Sequence, residues 1–112
     1  MGRNFERYGG MMRLFISQPM RGKTDAEIQA ERAKAIDECQ AYATCTGEKI
    51  DIIDSIIDGA PYGAKPLWYL GESLKLLSEA DAAYFVLGWD ENRGCKIEHM
   101  ACSEYGIKII SD

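Results

Sequence analysis

Apolar residues run without interruption through Ala82-Ala83-Tyr84-Phe85-Val86-Leu87. A continuous apolar run of this length is typical of a parallel strand that is covered by helices on both faces. Three further short apolar segments lie on either side of this run in the chain and predict additional strands. They span residues 13–17, 49–54 and 107–110.

Segments with helical patterns separate these predicted strands. Thr24, followed by Glu27, forms a capping box that predicts the start of a first helix, which ends around residues 45–47. Pro66 suits the first position of a second helix. A third helix is predicted from about Arg93 to Tyr105, with Gly106 ending it. Leucines at helical spacing in the second helix predict a stripe that faces a core: Leu67, Leu70, Leu74 and Leu77.

The alternation of strands and helices predicts an α/β fold with a small parallel sheet. We expect a three-layer α/β/α sandwich of the flavodoxin or Rossmann type. Residues 1–12 carry Gly9-Gly10 and no hydrophobic period, so we interpret them as a flexible N-terminal arm. Residues 13–112 then form a single domain, because 112 residues suffice for one core only.

Composition excludes several classes of function. The net charge of −5 argues against a protein that binds nucleic acid. No apolar run approaches the roughly 18 residues of a membrane span, and the first residues do not resemble a signal peptide. The four cysteines and the single histidine match no zinc pattern, so we expect a reduced, cytoplasmic protein without metal or organic cofactor.

Ligands of open parallel sheets bind beyond the carboxyl ends of the strands, which directs attention to three loops. These loops cover Ser17 to Lys23, Asp54-Ser55 and Gly88 to Gly94. Arg21 in the first loop and the amino end of the third helix would suit a phosphate group. Trp89 is either a lid over the core or a wall on which a base stacks.

Glu98 is the strongest candidate for a catalytic residue. It lies about one turn into the predicted third helix, so its carboxylate can point back toward the strand ends. Apolar neighbours in the sequence would desolvate the carboxylate and change its acidity. His99 points about 100° away from Glu98 on the same helix, and we expect it to serve packing or the surface.

Three segments of the chain match family signatures in order and spacing. The first is Leu14 to Gly22, where a strand runs into a loop containing Pro19. The second is Ala80 to Glu98, and the third is Ala101 to Ile110. Together they resemble the nucleoside 2-deoxyribosyltransferase-like superfamily from Arg13 to Ile110, and are most similar to a short branch found in bacteria and phages. That branch is related to the 2′-deoxynucleoside 5′-phosphate N-hydrolases.

The resemblance implies cleavage of an N-glycosidic bond, or deoxyribosyl transfer, on a nucleoside or its 5′-monophosphate. Glu98 would then be the nucleophile that attacks the anomeric carbon. It also implies a cytoplasmic homodimer or higher homo-oligomer. The residues expected to bind the substrate are Ser17, Gln18, Pro19, Met20, Arg21, Gly22, Asp54, Gly88, Trp89, Asn92, Arg93, Gly94 and Cys95.

The chain departs from the family pattern on the second helix. Catalytic relatives place an aspartate where this chain has Ser73, with Glu72 beside it. The second carboxylate is therefore supplied by Glu72, Asp54 or Asp90, or it is absent. Glu98, Glu72 and Ser73 are the candidate catalytic residues. The alternatives to an enzyme are a non-catalytic protein, encoded by a phage, that sequesters a nucleotide-derived signal, and an interaction protein with no small-molecule pocket.

Overall fold

A computed structural model of the chain describes residues 11–111. Within this range, strands and helices alternate along the chain as the sequence pattern predicts. The elements are β1 (Met11–Ser17), α1 (Asp25–Thr46), β2 (Lys49–Ile52), α2 (Pro66–Leu77), β3 (Ala82–Phe85), a 3-10 turn (Trp89–Glu91), α3 (Arg93–Tyr105) and β4 (Lys108–Ser111).

The strands form a parallel sheet in the order β2-β1-β3-β4. Leu14 in β1 lies beside Ile52 of β2 on one side and beside Ala82 of β3 on the other. β1 and β3 are thus the central strands, and both are almost fully buried. The predicted α/β fold with a small parallel sheet is confirmed.

One face of the sheet packs against α1. Met12, Leu14 and Ile16 alternate along β1 and form a core with Ala35 and Cys39 of the helix. Because side chains of a strand alternate between the two faces, the residues between them must point to the opposite side.

The opposite face of the sheet packs against α2 and α3. Phe15 and Phe85 form a second core with Leu77 of α2 and Cys102 of α3. The two cores give the predicted three layers. Ser17 lies two residues beyond Phe15, so the alternation of β1 places its side chain on the side of α2 and α3.

The structure corrects some of the predicted boundaries. β1 begins at Met11 rather than at residue 13, because Met12 is buried and pairs with Ile50 of β2. The remaining ten residues of the predicted arm lie outside the described residues. β2 and β3 end at Ile52 and Phe85, two residues earlier than predicted, where the chain leaves the sheet.

The predicted leucine stripe of α2 is only partly right. Leu77 is buried and Leu74 packs against the core, but Leu67 is 75% exposed. The first turn of α2 therefore extends beyond the sheet it covers. Leu70 is partly exposed and lines a cavity.

The helix ends follow the sequence predictions. Thr24 Oγ1 accepts from the Glu27 amide at 3.1 Å, and Glu27 Oε1 accepts from the Thr24 amide at 2.8 Å, which confirms the capping box. Gly106 ends α3 with a φ of 74°, a conformation that glycine adopts without strain. Among residues 11–111 no helix is both long and apolar enough to cross a membrane.

Candidate active site

The candidate site lies at the carboxyl ends of β1 and β3. The chain leaves β1 through α1 to reach β2 on one side, and later adds β3 and β4 on the other side. The strand order therefore reverses between β1 and β3, and a crevice at such a point is where parallel sheets bind ligands. Ser17, the last residue of β1, pairs with Phe85, the last residue of β3.

Glu98 is held in this crevice by two serine hydroxyls. Ser17 Oγ donates to Glu98 Oε1 at 2.6 Å, and Ser73 Oγ donates to Glu98 Oε2 at 2.6 Å. The carboxylate is thus bonded from β1 on one side and from α2 on the other, while its own helix is α3. Glu98 is 6% exposed, which is rare for a glutamate unless its oxygens are hydrogen-bonded.

Burial and hydrogen bonding act on Glu98 in opposite directions. Burial raises the pKa of its carboxyl group, because the charged form loses hydration. The hydrogen bonds from Ser17 and Ser73 oppose this rise, because they stabilise the ionised form. Each carboxylate oxygen accepts one serine hydroxyl and keeps a further lone pair, so the group can still attack an electrophile or stabilise positive charge.

The Cys95 thiol lies next to this network, in the first turn of α3. Burial raises its pKa to about 11, the Ser17 hydroxyl opposes the rise, and the charge of Glu98 adds to it. Since only a thiolate is a strong nucleophile, Cys95 is unsuited to nucleophilic catalysis at neutral pH. Cys95 lines the cavity beside Glu98 as a small, neutral thiol.

A cavity of about 420 Å³ opens over Glu98, within the size range of small-molecule sites. Eight residues predicted from the sequence as site residues line it, and they come from α2, α3 and the loops at this end of the sheet. They are Gln18, Met20, Arg21, Ser73, Asn92, Gly94, Cys95 and Glu98.

The remaining cavity wall is mostly apolar, and apart from Ser55 of the predicted Asp54-Ser55 loop it was not predicted. Part of it comes from the irregular segment between β2 and α2, which has no hydrophobic period to indicate which side chains turn inward. Part comes from one face of α2 and from β1. These residues are Phe15, Ile16, Ser55, Ile56, Ile57, Pro66, Tyr69 and Leu70.

Arg32 of α1 supports this wall through hydrogen bonds and was also not predicted. Its guanidinium is buried and donates to Ser55 Oγ at 3.1 Å and to the Ile53 carbonyl at 3.3 Å. Burial lowers the pKa of Arg32, and the nearby Asp54 charge partly offsets this effect. Arg32 thereby positions Ser55 at the cavity from the opposite layer. Its place among alternating charges of a long helix gave no signal of this role.

Gln18 is held in a single orientation at the cavity wall. Its Nε2 donates to the Ile28 carbonyl at 2.7 Å, which anchors the loop after β1 to the first turn of α1. Because a carbonyl only accepts, this bond determines which end of the amide faces Ile28. The side chain is 7% exposed, so Gln18 is part of the rigid frame of the site.

Trp89 lies against the core instead of the cavity. Its ring stacks on His99 with centroids 4.0 Å apart and packs against Phe85 at 5.6 Å. These contacts favour the interpretation of Trp89 as a lid over the core. They also account for His99, which serves packing as predicted. The other predicted binding residues that do not line the cavity are Ser17, Pro19, Gly22, Asp54, Gly88 and Arg93.

The candidates for a second carboxylate all lie outside the cavity lining. Glu72 forms an ion pair with Lys75 at 2.9 Å on the outer side of α2. Asp54 is exposed, and its Oδ1 accepts from the Ile56 amide at 3.1 Å. Asp90 is exposed in the 3-10 turn. Ser73 thus takes the position facing Glu98, as a hydrogen-bond donor.

Positive charge at the cavity comes from Arg21. Lys23, in the same loop, is paired with Glu31 at 2.7 Å. At the amino end of α3, Asn92 Oδ1 accepts from the Cys95 amide at 2.9 Å, so this amide is already engaged by the helix cap. Arg21 is therefore the residue best placed to meet an anionic group of a ligand at the mouth of the cavity.

The described part of the chain contains no group of three or more His, Cys, Asp or Glu side chains arranged to hold a metal ion. Comparisons with protein-family models, with curated proteins and with solved structures find no match.

Proposed function

We propose that this protein cleaves the N-glycosidic bond of a nucleoside or nucleotide, with Glu98 as the nucleophile. The observation that carries the proposal is the buried Glu98 carboxylate, held at both oxygens by serine hydroxyls at 2.6 Å on the floor of a cavity. The resemblance of the three sequence segments to the nucleoside 2-deoxyribosyltransferase-like superfamily supports the same function.

The proposed reaction uses the geometry directly. A lone pair of Glu98 attacks the anomeric carbon, and the bond from this carbon to the base breaks. Positive charge develops on the sugar in the transition state, and the fixed carboxylate stabilises it without having to reorient. Water, or a second base, then displaces Glu98 from the glycosyl ester. Ser17 and Ser73 keep the carboxylate oriented through these steps.

Base release tests this function. Purified protein is incubated with a panel of 2′-deoxynucleosides, ribonucleosides and their 5′-monophosphates, which includes both neutral and cationic bases, and free base is measured by chromatography. Release is expected from at least one member, and Glu98→Gln should abolish it because the amide cannot form the ester. Glu104→Gln is the matched control, since Glu104 is exposed on the same helix. Absence of release from the whole panel, or full activity of Glu98→Gln, contradicts the proposal.

A second candidate function is nucleotide binding without chemistry, as in sequestration of a nucleotide-derived signal. Glu98 is the one carboxylate among the described residues that line the cavity, which favours this alternative to a two-carboxylate glycosidase. The ligand should then be recovered intact after the complex is denatured. A ligand present at a hundred times its dissociation constant should stabilise the fold by about 2.7 kcal/mol. Recovery of a cleaved ligand would exclude this candidate.

The proposed assembly is a homodimer or higher homo-oligomer. Large apolar side chains remain exposed in the single chain, among them Leu67 of α2 at 75% and Ile56 at 45%. Exposed apolar surface can mark a protein interface. Light scattering coupled to size exclusion tests this assembly, and a monomer at all concentrations contradicts it.

The proposed location is the cytoplasm of a bacterium or of a phage-infected bacterium. All four cysteines are free in the structure, and three of them are buried without a disulfide. Free thiols in such number are typical of reducing compartments. Fractionation of cells that express a tagged chain tests this location.

A further inference from the structure

The proton-bearing side chains at the cavity are few. Among the described residues that line it, the ionisable ones are Arg21, Tyr69, Cys95 and Glu98. A guanidinium group such as that of Arg21 does not serve as a general acid in proteins. Tyr69 is 41% exposed and packs edge-on against Trp68. Glu98 is the single carboxyl group among these described lining residues.

Departure of a neutral base requires two groups at once. As the bond between the base and the anomeric carbon breaks, a carboxylate must attack or stabilise that carbon while an acid protonates the leaving nitrogen. Glu98 cannot do both in the same step, because a nucleophile must be ionised and an acid must carry the proton. The Ser17 and Ser73 hydroxyls are directed at Glu98 and are very weak acids.

The two remaining groups are also poor proton donors. The Cys95 thiol retains its proton at neutral pH, since burial raises its pKa to about 11. The Tyr69 side chain is 41% exposed to solvent, so its hydroxyl is not a buried proton donor beside Glu98. The described residues at the cavity thus include a carboxylate that can stabilise a sugar cation and no matched acid for the base.

We infer that the substrate is an N-glycoside whose base is already cationic, of the pyridinium type, so that the base leaves as a neutral molecule without a proton. This inference rests on the proposed function. The electron pair of the broken bond goes to the ring nitrogen and cancels its positive charge. Glu98 forms the ester with the sugar, and water then releases the free sugar phosphate and one proton.

The electrostatics and shape of the cavity fit such a substrate. A cationic ring beside Glu98 compensates the buried negative charge, which the serine hydroxyls alone satisfy only in part. The apolar side chains of Ile56, Ile57 and Leu70 can cover a flat aromatic ring. Arg21 at the opening can meet a 5′-phosphate.

A matched pair of probes tests the inference. Nicotinamide mononucleotide carries a cationic ring, whereas its reduced form has nearly the same shape with a neutral ring. Adenosine 5′-monophosphate and its 2′-deoxy form serve as further neutral substrates. Base release by wild-type protein is measured for each after subtraction of the uncatalysed rate. Because general acid catalysis contributes about 100-fold or more, the cationic probe should be cleaved at least about 100-fold faster than the neutral ones.

The possible outcomes separate the inference from the proposed function. Selective cleavage of the cationic probe, lost in Glu98→Gln and kept in Glu104→Gln, supports both. Cleavage of the neutral nucleotides at a similar or higher rate overturns the inference and leaves the proposed function standing. Absence of cleavage for all four probes and for the wider nucleoside panel overturns both.

Discussion

The hydrogen bonds from the two serines to Glu98 make a stability prediction whose size follows from the structure. Ser17 Oγ and Ser73 Oγ each donate at 2.6 Å to a carboxylate that is 6% exposed. A hydrogen bond to a charged group contributes about 1.5–3 kcal/mol, and one between neutral groups about 0.5–1.5 kcal/mol. Ser17→Ala should therefore lower the free energy of unfolding by about 1.5–3 kcal/mol. Ser73→Ala should have a smaller effect, because its bond is only partly buried.

The charge on Glu98 should account for much of this loss. In the Glu98→Gln background the same Ser17→Ala change should lower stability by about 0.5–1.5 kcal/mol only, which leaves a coupling energy near 1 kcal/mol. In wild type, the loss caused by Ser17→Ala should shrink as the pH falls through the folded-state pKa of Glu98. Burial raises this pKa, and the hydrogen bond stabilises the ionised form more than the neutral form.

Urea denaturation of the wild type, the three single variants and the Ser17→Ala/Glu98→Gln double variant measures these free energies. Ser103→Ala is the matched control, because Ser103 is exposed on α3 and its loss should change stability by less than about 0.5 kcal/mol. Ser17→Ala could instead lower the free energy of unfolding by the same amount in the wild-type and Glu98→Gln backgrounds at every pH. That result would refute the conclusion that Glu98 is buried, ionised and hydrogen-bonded to Ser17.

Three further predictions concern the rest of the fold. Asp81 Oδ2 accepts from the Arg13 amide at 2.9 Å at the amino end of the sheet, so Asp81→Ala should cost about 1.5–3 kcal/mol in urea unfolding while ligand binding at the opposite edge stays unchanged. Gly106→Ala should cost about 1–2 kcal/mol, because φ is 74°; an unchanged thermal midpoint contradicts this. Cys45 is exposed and should be the one thiol that reacts quickly with a disulfide reagent under native conditions; a second fast thiol argues against the described core. Burial, with pKa values raised to about 11 or 12, should protect Cys39, Cys95 and Cys102.

The lining of the cavity was predictable where a residue follows a strand or opens a helix. Arg21 and Asn92 belong to such positions, and both reach the cavity. Ile56 and Tyr69 also line the cavity, but their positions were not predictable. Irregular backbone and an exposed helix turn have no hydrophobic period that distinguishes inward-facing from outward-facing side chains. The rotation of α2 about its axis depends on how its leucines pack on the sheet. That packing turns Ser73 toward Glu98 and Glu72 toward solvent.

The linear order of apolar runs, caps and glycines by itself determined the α/β architecture and identified the sheet edge at which parallel sheets bind ligands. Local patterns suffice for this, because each strand and helix is specified by its own period and end signals. Only the tertiary structure decided that Ser17, Ser73 and Glu98 meet, since these residues come from three separate elements. It also decided that a single carboxylate lines the described cavity, because that depends on which way each side chain turns once the layers pack.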